Sequence, residues 1–251
     1  MNIFSVAGII ATIALLLPIL LLITMKLSLY RSFPALLSYY VIVFTYSVII
    51  EGGFPISKEF RIFYGNLSNF LDGPLILLFL TYFSRTASFR KKLIILTACF
   101  VVFEIIVIAT YGFNTQSATI ILGPDMVLVT GLSILFFFQQ VKLAVTNHKA
   151  IGKAIMIASI LFAYVGYCFV YSAYYLFETP YKNDVHLIFY LINIISAITM
   201  AIGLSVEHKR VRQLIELLTA RKELQEIYAK EESKTNSSAI EKMIFKFDQN
   251  S

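Results

Sequence analysis

Carboxyl, amide and phenol side chains recur inside long apolar runs of this sequence, at spacings that put several of them on common helix faces. Asn66, Asn69 and Asp72 are three apart, and His186, Tyr190, Asn193 and Ser196 follow steps of four, three and three. Tyr164, Tyr167, Tyr171, Tyr174 and Tyr175 also share one broad face. Glu104 lies in the middle of another apolar run, and Glu51 closes a further one. Polar groups in hydrocarbon are costly and characteristically face the interior of a helix bundle, where they line paths for ligands or ions. The chemistry on offer is binding, through phenol and amide hydrogen bonds and a negative charge that no Lys or Arg within the runs offsets.

The candidate ligand-binding residues are therefore Asp72, Asn69, Asn66, Glu104, Tyr171, Tyr190, Asn193 and Glu51, arranged around a polar, tyrosine-lined cavity. No catalytic residue or metal ligand is assigned and no cofactor is expected. Packing is the competing explanation for each stripe, since interhelical hydrogen bonds contribute about 0.6–2 kcal/mol without any ligand. Tyr174 and Tyr175 also suit a membrane-interface belt, and His186 suits a solvated or capping position. The run Asn69-Phe70-Leu71-Asp72-Gly73-Pro74 adds Gly and Pro directly after a carboxyl, which weakens a helix where a ligand can reach backbone groups.

The elements that hold these residues follow from composition. With 58% hydrophobic and 14% charged residues in 251, the chain has too little charge to cover a water-soluble globule of this size, so most of it faces lipid. A span of the bilayer core takes roughly 20 apolar residues. Runs of that length fall at 3–25, 33–50, 66–83, 93–113, 118–141, 154–178 and 185–206. The fold class is all-α: a polytopic membrane protein with a seven-helix bundle at 1–206. Pro18 and Pro74 lie inside spans and mark expected bends. The first run has no basic residue ahead of it and exceeds a signal-peptide core, so it reads as a transmembrane helix. Cys99 and Cys168 fall within apolar runs and imply no disulfide.

Basic residues orient the bundle, because Lys and Arg are retained on the cytoplasmic side. The first, third and fifth connections carry them, as Lys26 and Arg31, then Arg85, Arg90, Lys91 and Lys92, then Lys142, Lys149 and Lys153. Lys209, Arg210 and Arg212 follow the last span. The N-terminus is thus expected outside and the C-terminus in the cytoplasm, with the polar stripes in the outer half. The net charge of +6 reflects this topology and gives no reason to expect nucleic acid.

Beyond the bundle, 207–232 reads as a cytoplasmic helix whose Leu214, Leu217, Leu224 and Tyr228 form a narrow stripe, fit for a short coiled coil or a lipid surface. Residues 233–251 read as a linker, Ser233 to Ser237, followed by a short terminal helix. Ser238 and Glu241 have capping-box spacing there, and Ile240, Met243, Ile244 and Phe247 form an apolar face suited to a membrane or a protein partner.

Several familiar activities are excluded. Residues 185–206 contain no Lys for a retinal Schiff base, and the three histidines are too dispersed for a zinc site, His148 and His208 being expected on the cytoplasmic side. No nucleophile elbow, Walker loop or dinucleotide fingerprint occurs. In helix number, orientation and trailing helix, residues 1–232 resemble the seven-helix sensory modules that bacterial signalling proteins carry ahead of a coiled linker and an effector domain. Here no effector domain follows up to Ser251, so the resemblance implies signalling through a separate protein.

The expected function is that of a receptor-like or sensory protein of a cell membrane, with the bacterial inner membrane the expected setting. It binds a small or lipidic ligand from outside and engages a cytoplasmic partner through its tail. A small-molecule transporter, a membrane-embedded enzyme acting on a lipid or isoprenoid, and a structural subunit of a membrane complex are the alternatives. The expected partners are the lipid bilayer, that ligand, the cytoplasmic protein and a second copy of the chain.

Overall fold

The computed structural model describes residues 3–52, 56–147, 150–176 and 182–248. Within them the chain is helical, with no strand. The helices are α1 (Ile3–Thr24), α2 (Phe33–Glu51), α3 (Lys58–Leu80), α4 (Ala87–Tyr111), α5 (Thr115–Asn147), α6 (Ile151–Tyr171) and α7 (Lys182–Asp248). Short 3₁₀ turns follow α1 (Leu27–Leu29) and α3 (Thr81–Phe83), and a π turn (Ser172–Leu176) follows α6. All these helices except α3 are long and apolar enough to cross a membrane, which marks a multi-pass membrane protein.

The helix ends are set by local chemistry. Ser57 accepts a hydrogen bond from the Phe60 amide at 3.3 Å, and Thr86 accepts one from the Phe89 amide at 3.2 Å. Asn114 and Ser117 cap α5 reciprocally: the Ser117 amide donates to Asn114 Oδ1 at 2.9 Å, and the Asn114 amide donates to Ser117 Oγ at 3.2 Å. Gly112 ends α4 at φ 81°, a conformation natural to glycine.

The chain divides into two compact units, Met1–His208 and Lys209–Ser251. In the first, α1 packs on α2, α2 on α3, α3 on α4 and α5, and α5 on α6. Ser159 Oγ of α6 donates to the Ser196 carbonyl of α7 at 2.7 Å. Glycine sets the α6–α7 distance: a Cβ on Gly152 would lie 2.7 Å from the Glu207 amide nitrogen, and one on Gly203 would lie 2.6 Å from Met156 Cγ. Large apolar side chains such as Ile13, Ile95, Val127, Phe138 and Phe169 are more than half exposed, as lipid-facing surfaces require. In the second unit Arg212 Nε pairs with Glu216 Oε1 at 3.0 Å, and Leu214, Leu217 and Leu224 are exposed.

Several boundaries differ from the sequence expectation. The Ser57 cap starts α3 at Lys58, well before the apolar run at 66–83. The backbone stays helical through 233–237, where a loop was expected, since none of those five residues is Gly or Pro. His148, Lys149 and Glu178 lie outside the described residues, as do the side chains of Tyr175, Tyr228, Ile240, Met243, Ile244 and Phe247.

The α6–α7 contact makes a prediction with an internal control. Gly152→Ala should destabilise the protein by about 1–3 kcal/mol, because two backbones must separate. Gly131→Ala, where a Cβ meets nothing within 4 Å, should be neutral or stabilising by up to about 1 kcal/mol. Thermal unfolding of both variants in detergent checks the pair.

Candidate functional site

The site begins with α3, whose polar mid-section is sheltered by its neighbours. Gly65, Asn66, Ser68, Phe70, Gly73 and Pro74 are buried, and Asn69 and Asp72 are partly buried. Tyr164 of α6 donates a hydrogen bond to Asp72 Oδ2 at 3.0 Å. One turn along α6, Tyr167 donates to Asn193 Oδ1 of α7 at 2.7 Å. Asn193 is held in turn by its Nδ2 donating to the Phe189 carbonyl at 2.8 Å. Tyr39 of α2 interacts with Tyr167, completing a cluster in which phenols from two helices surround one carboxyl.

Between these helices is a cavity lined in part by Tyr39, Tyr40, Ser159, Tyr164, Tyr167 and Asn193. Its volume is about 20 Å³, which accommodates one water rather than an organic ligand. Asp72 is connected to it through the Tyr164 hydroxyl rather than by lining it.

Two further acids, from α4 and α5, approach Asp72. Glu104 of α4 interacts electrostatically with Asp72, and Asp125 of α5 with both Asp72 and Glu104. Asp125 is 1% exposed and Glu104 5%. Both Asp125 carboxyl oxygens, and Oε1 of Glu104, have no hydrogen-bond partner. The closeness of α3 and α5 depends on Gly73: a Cβ there would lie 2.3 Å from Asp125 Oδ1 and 2.8 Å from Phe100 Cε1. The chemistry available to the group is that of carboxyls in hydrocarbon: accepting hydrogen bonds, attracting cations and exchanging protons. Among the described residues no three His, Cys, Asp or Glu are arranged to hold a metal ion.

A second polar group is separate. Tyr190 of α7 donates to Glu51 Oε1 of α2 at 2.5 Å, and the Glu51 carboxyl rests against Gly8 of α1. The His186 ring meets Tyr190 edge-on at 4.9 Å, and its Nδ1 lies 3.4 Å from the Tyr174 hydroxyl. A third group lies about 25 Å along α7 from Tyr190, taking 1.5 Å per residue. There Tyr82 donates to the fully buried Glu207, and Lys153 Nζ sits 4.3 Å from the Tyr82 ring centroid.

The expected residues thus separate. Asp72 and Glu104 come together, and Asn193 joins Asp72's surroundings through the tyrosines. Glu51 and Tyr190 form their own pair. Tyr171 turns to α5, donating to the Thr119 carbonyl at 3.2 Å. Asn66 and Asn69 do not line the cavity. Sequence reading overlooked Asp125 and the Tyr82–Glu207 contact. A readable signal for Asp125 existed: Gly123-Pro124-Asp125 has the same three residues as Asp72-Gly73-Pro74, with the acid after the Gly-Pro pair instead of before it, and both triplets lie within apolar runs.

Comparison of the chain with protein-family models, with curated proteins and with solved structures returns no match.

The Tyr164–Asp72 contact is testable by a double-mutant cycle. Tyr164→Phe and Asp72→Asn should show a coupling of about 0.6 kcal/mol, at most about 1.7. Equilibrium unfolding of the two single variants and the double variant in bicelles measures it, and strict additivity would remove the contact.

Proposed function

We propose that this chain is a receptor-like membrane protein of seven spans, with α3 as the third, its N-terminus outside and its C-terminal helix in the cytoplasm. It binds a small or lipidic ligand in the outer half of the bundle and passes the signal to a cytoplasmic protein through α7. One observation carries the reading: the carboxyl of Asp72 is held by Tyr164 beside a cavity lined from α1, α2, α3, α6 and α7. A purely packed bundle gains little from placing a carboxyl there, since polar groups inside a membrane are expensive.

The cavity's water-sized volume supports a receptor more than a preformed container. A ligand enters only if Tyr39, Tyr164 and Tyr167 part, so occupancy favours a bundle with different helix spacing. Binding is thereby linked to a conformational equilibrium, which is what a signal requires. Polar α3 suits a span enclosed by other helices, and the basic connections on one side of the bundle support the orientation. The trailing helix, and the resemblance to bacterial sensory modules, support a cytoplasmic readout.

Two measurements test this. Native mass spectrometry of protein released gently from its own membrane should find a small molecule or lipid retained by the wild type and lost in Asp72→Asn; a bare chain in both would overturn the ligand reading. For topology, Cys99 and Cys168 are replaced by Ala and one new cysteine is added at a time. Ser57→Cys should react with an impermeant maleimide on intact cells, and Thr86→Cys only after permeabilisation. The reverse pattern would invert the orientation.

A further inference from the structure

We propose that Asp72, Glu104 and Asp125 form a proton-binding site inside the bundle, with the Tyr164 hydroxyl as its connection to the central cavity. The site is built by three helices. Asp125 on α5 faces Asp72 on α3 and Glu104 on α4, and the missing side chain of Gly73 lets the Asp125 carboxyl lie against α3.

The decisive observation is the state of the buried oxygens. Both oxygens of Asp125 and Oε1 of Glu104 meet no hydrogen-bond donor among the described residues, and both residues are at least nineteen-twentieths buried. A carboxylate so placed is an unsolvated anion, and neighbouring carboxyls make a second or third charge still less tolerable. A positive partner in the site would remove that cost.

The surroundings identify that partner. The titratable groups facing Asp72 from α2 and α6 are phenols, Tyr39, Tyr164 and Tyr167; those from α4 and α5 are the acids Glu104 and Asp125. No Lys, Arg or His among the described residues is in this group. The acids do not converge with metal-binding geometry. A proton fits, since it bonds to one carboxyl oxygen and turns an anion into a neutral acid that can also donate.

An exchange route is also present. Tyr164 donates to Asp72 Oδ2 and lines the cavity that has room for one water. A hydronium ion there gives a proton to the Tyr164 oxygen as the original Tyr164 proton passes to Asp72 Oδ2. One water and one neutral carboxylic acid result, and the phenol is restored. Release runs the same steps backwards, and Asp125 and Glu104, whose buried oxygens meet no donor from the protein, are each held as neutral acids. This site shares Asp72 and Tyr164 with the ligand reading above but needs neither an organic occupant nor a cytoplasmic partner.

Infrared spectroscopy of the full-length protein in liposomes, exchanged from H₂O into D₂O, tests the proposal. The wild type should show a protonated-carboxyl C=O band that shifts on deuteration. Asp125→Asn and Glu104→Gln, nearly isosteric replacements, should each weaken that band. Tyr164→Phe should keep the band but slow its exchange about tenfold or more. A pH jump read by an indicator dye should show fewer protons exchanged by Asp125→Asn than by the wild type. A wild-type spectrum without a deuterium-sensitive carboxyl band would overturn the proposal whatever the variants do. So would a band unchanged in both carboxyl variants, or exchange at wild-type speed in Tyr164→Phe. If Asp125→Asn fails to fold, Glu104→Gln carries the same comparison.

Discussion

A helix whose middle reads Gly-Asn-Leu-Ser-Asn-Phe-Leu-Asp-Gly-Pro has most of that stretch buried by its neighbours, and the polar contacts of the bundle centre on it. Backbone and side-chain polar groups find no water in the bilayer core, so each must be satisfied within the protein. Here α2, α4 and α5 pack on α3, and α6 reaches it through Tyr164. The apolar excess of the other helices follows from the same constraint. They carry most of the exposed apolar surface, while the middle of α3 is buried among them.

Tyrosine is the main device by which that shelter is built. A phenol combines a large apolar ring with one hydroxyl, so it fills space between helices while delivering a single hydrogen bond at its tip. Tyr164, Tyr167 and Tyr190 each do this across a helix boundary, to Asp72, Asn193 and Glu51. Tyr82 does the same for Glu207. The bundle thus gives acids on α2, α3 and α7 a phenol donor each. Glycine complements the phenols, since Gly8, Gly73 and Gly152 each admit a carboxyl side chain against a helix backbone.

Much of this was legible in the sequence, and the failures have physical causes. Apolar run length located the helices, because lipid thickness fixes how many apolar residues a crossing takes. The helix α3 begins before the apolar run at 66–83, because Lys58, Glu59 and Arg61 lower the hydropathy of its first turns; Ser57 at the cap position marks its start. The stripe on α3 was found by its spacing, but which neighbour each member meets depends on helix rotation. Tyr171, expected at the cavity, donates to a backbone carbonyl of α5. Asp125 escaped notice because it stands alone on its helix, without polar neighbours at three or four residues. Its importance comes from α3 and α4, which meet it only in three dimensions.

The contact between Gly152 and the Glu207 backbone also constrains how the bundle can move. With no side chain between them, α6 and α7 touch backbone to backbone at this crossing, and there is no soft layer to absorb sliding. The crossing is then a fulcrum. A parting of the tyrosines near Asn193 that keeps this contact would change the angle between α6 and α7 about Gly152 and Gly203. A small opening at the centre would then become a larger sideways excursion at the Tyr190 end, as in a lever whose short arm is held.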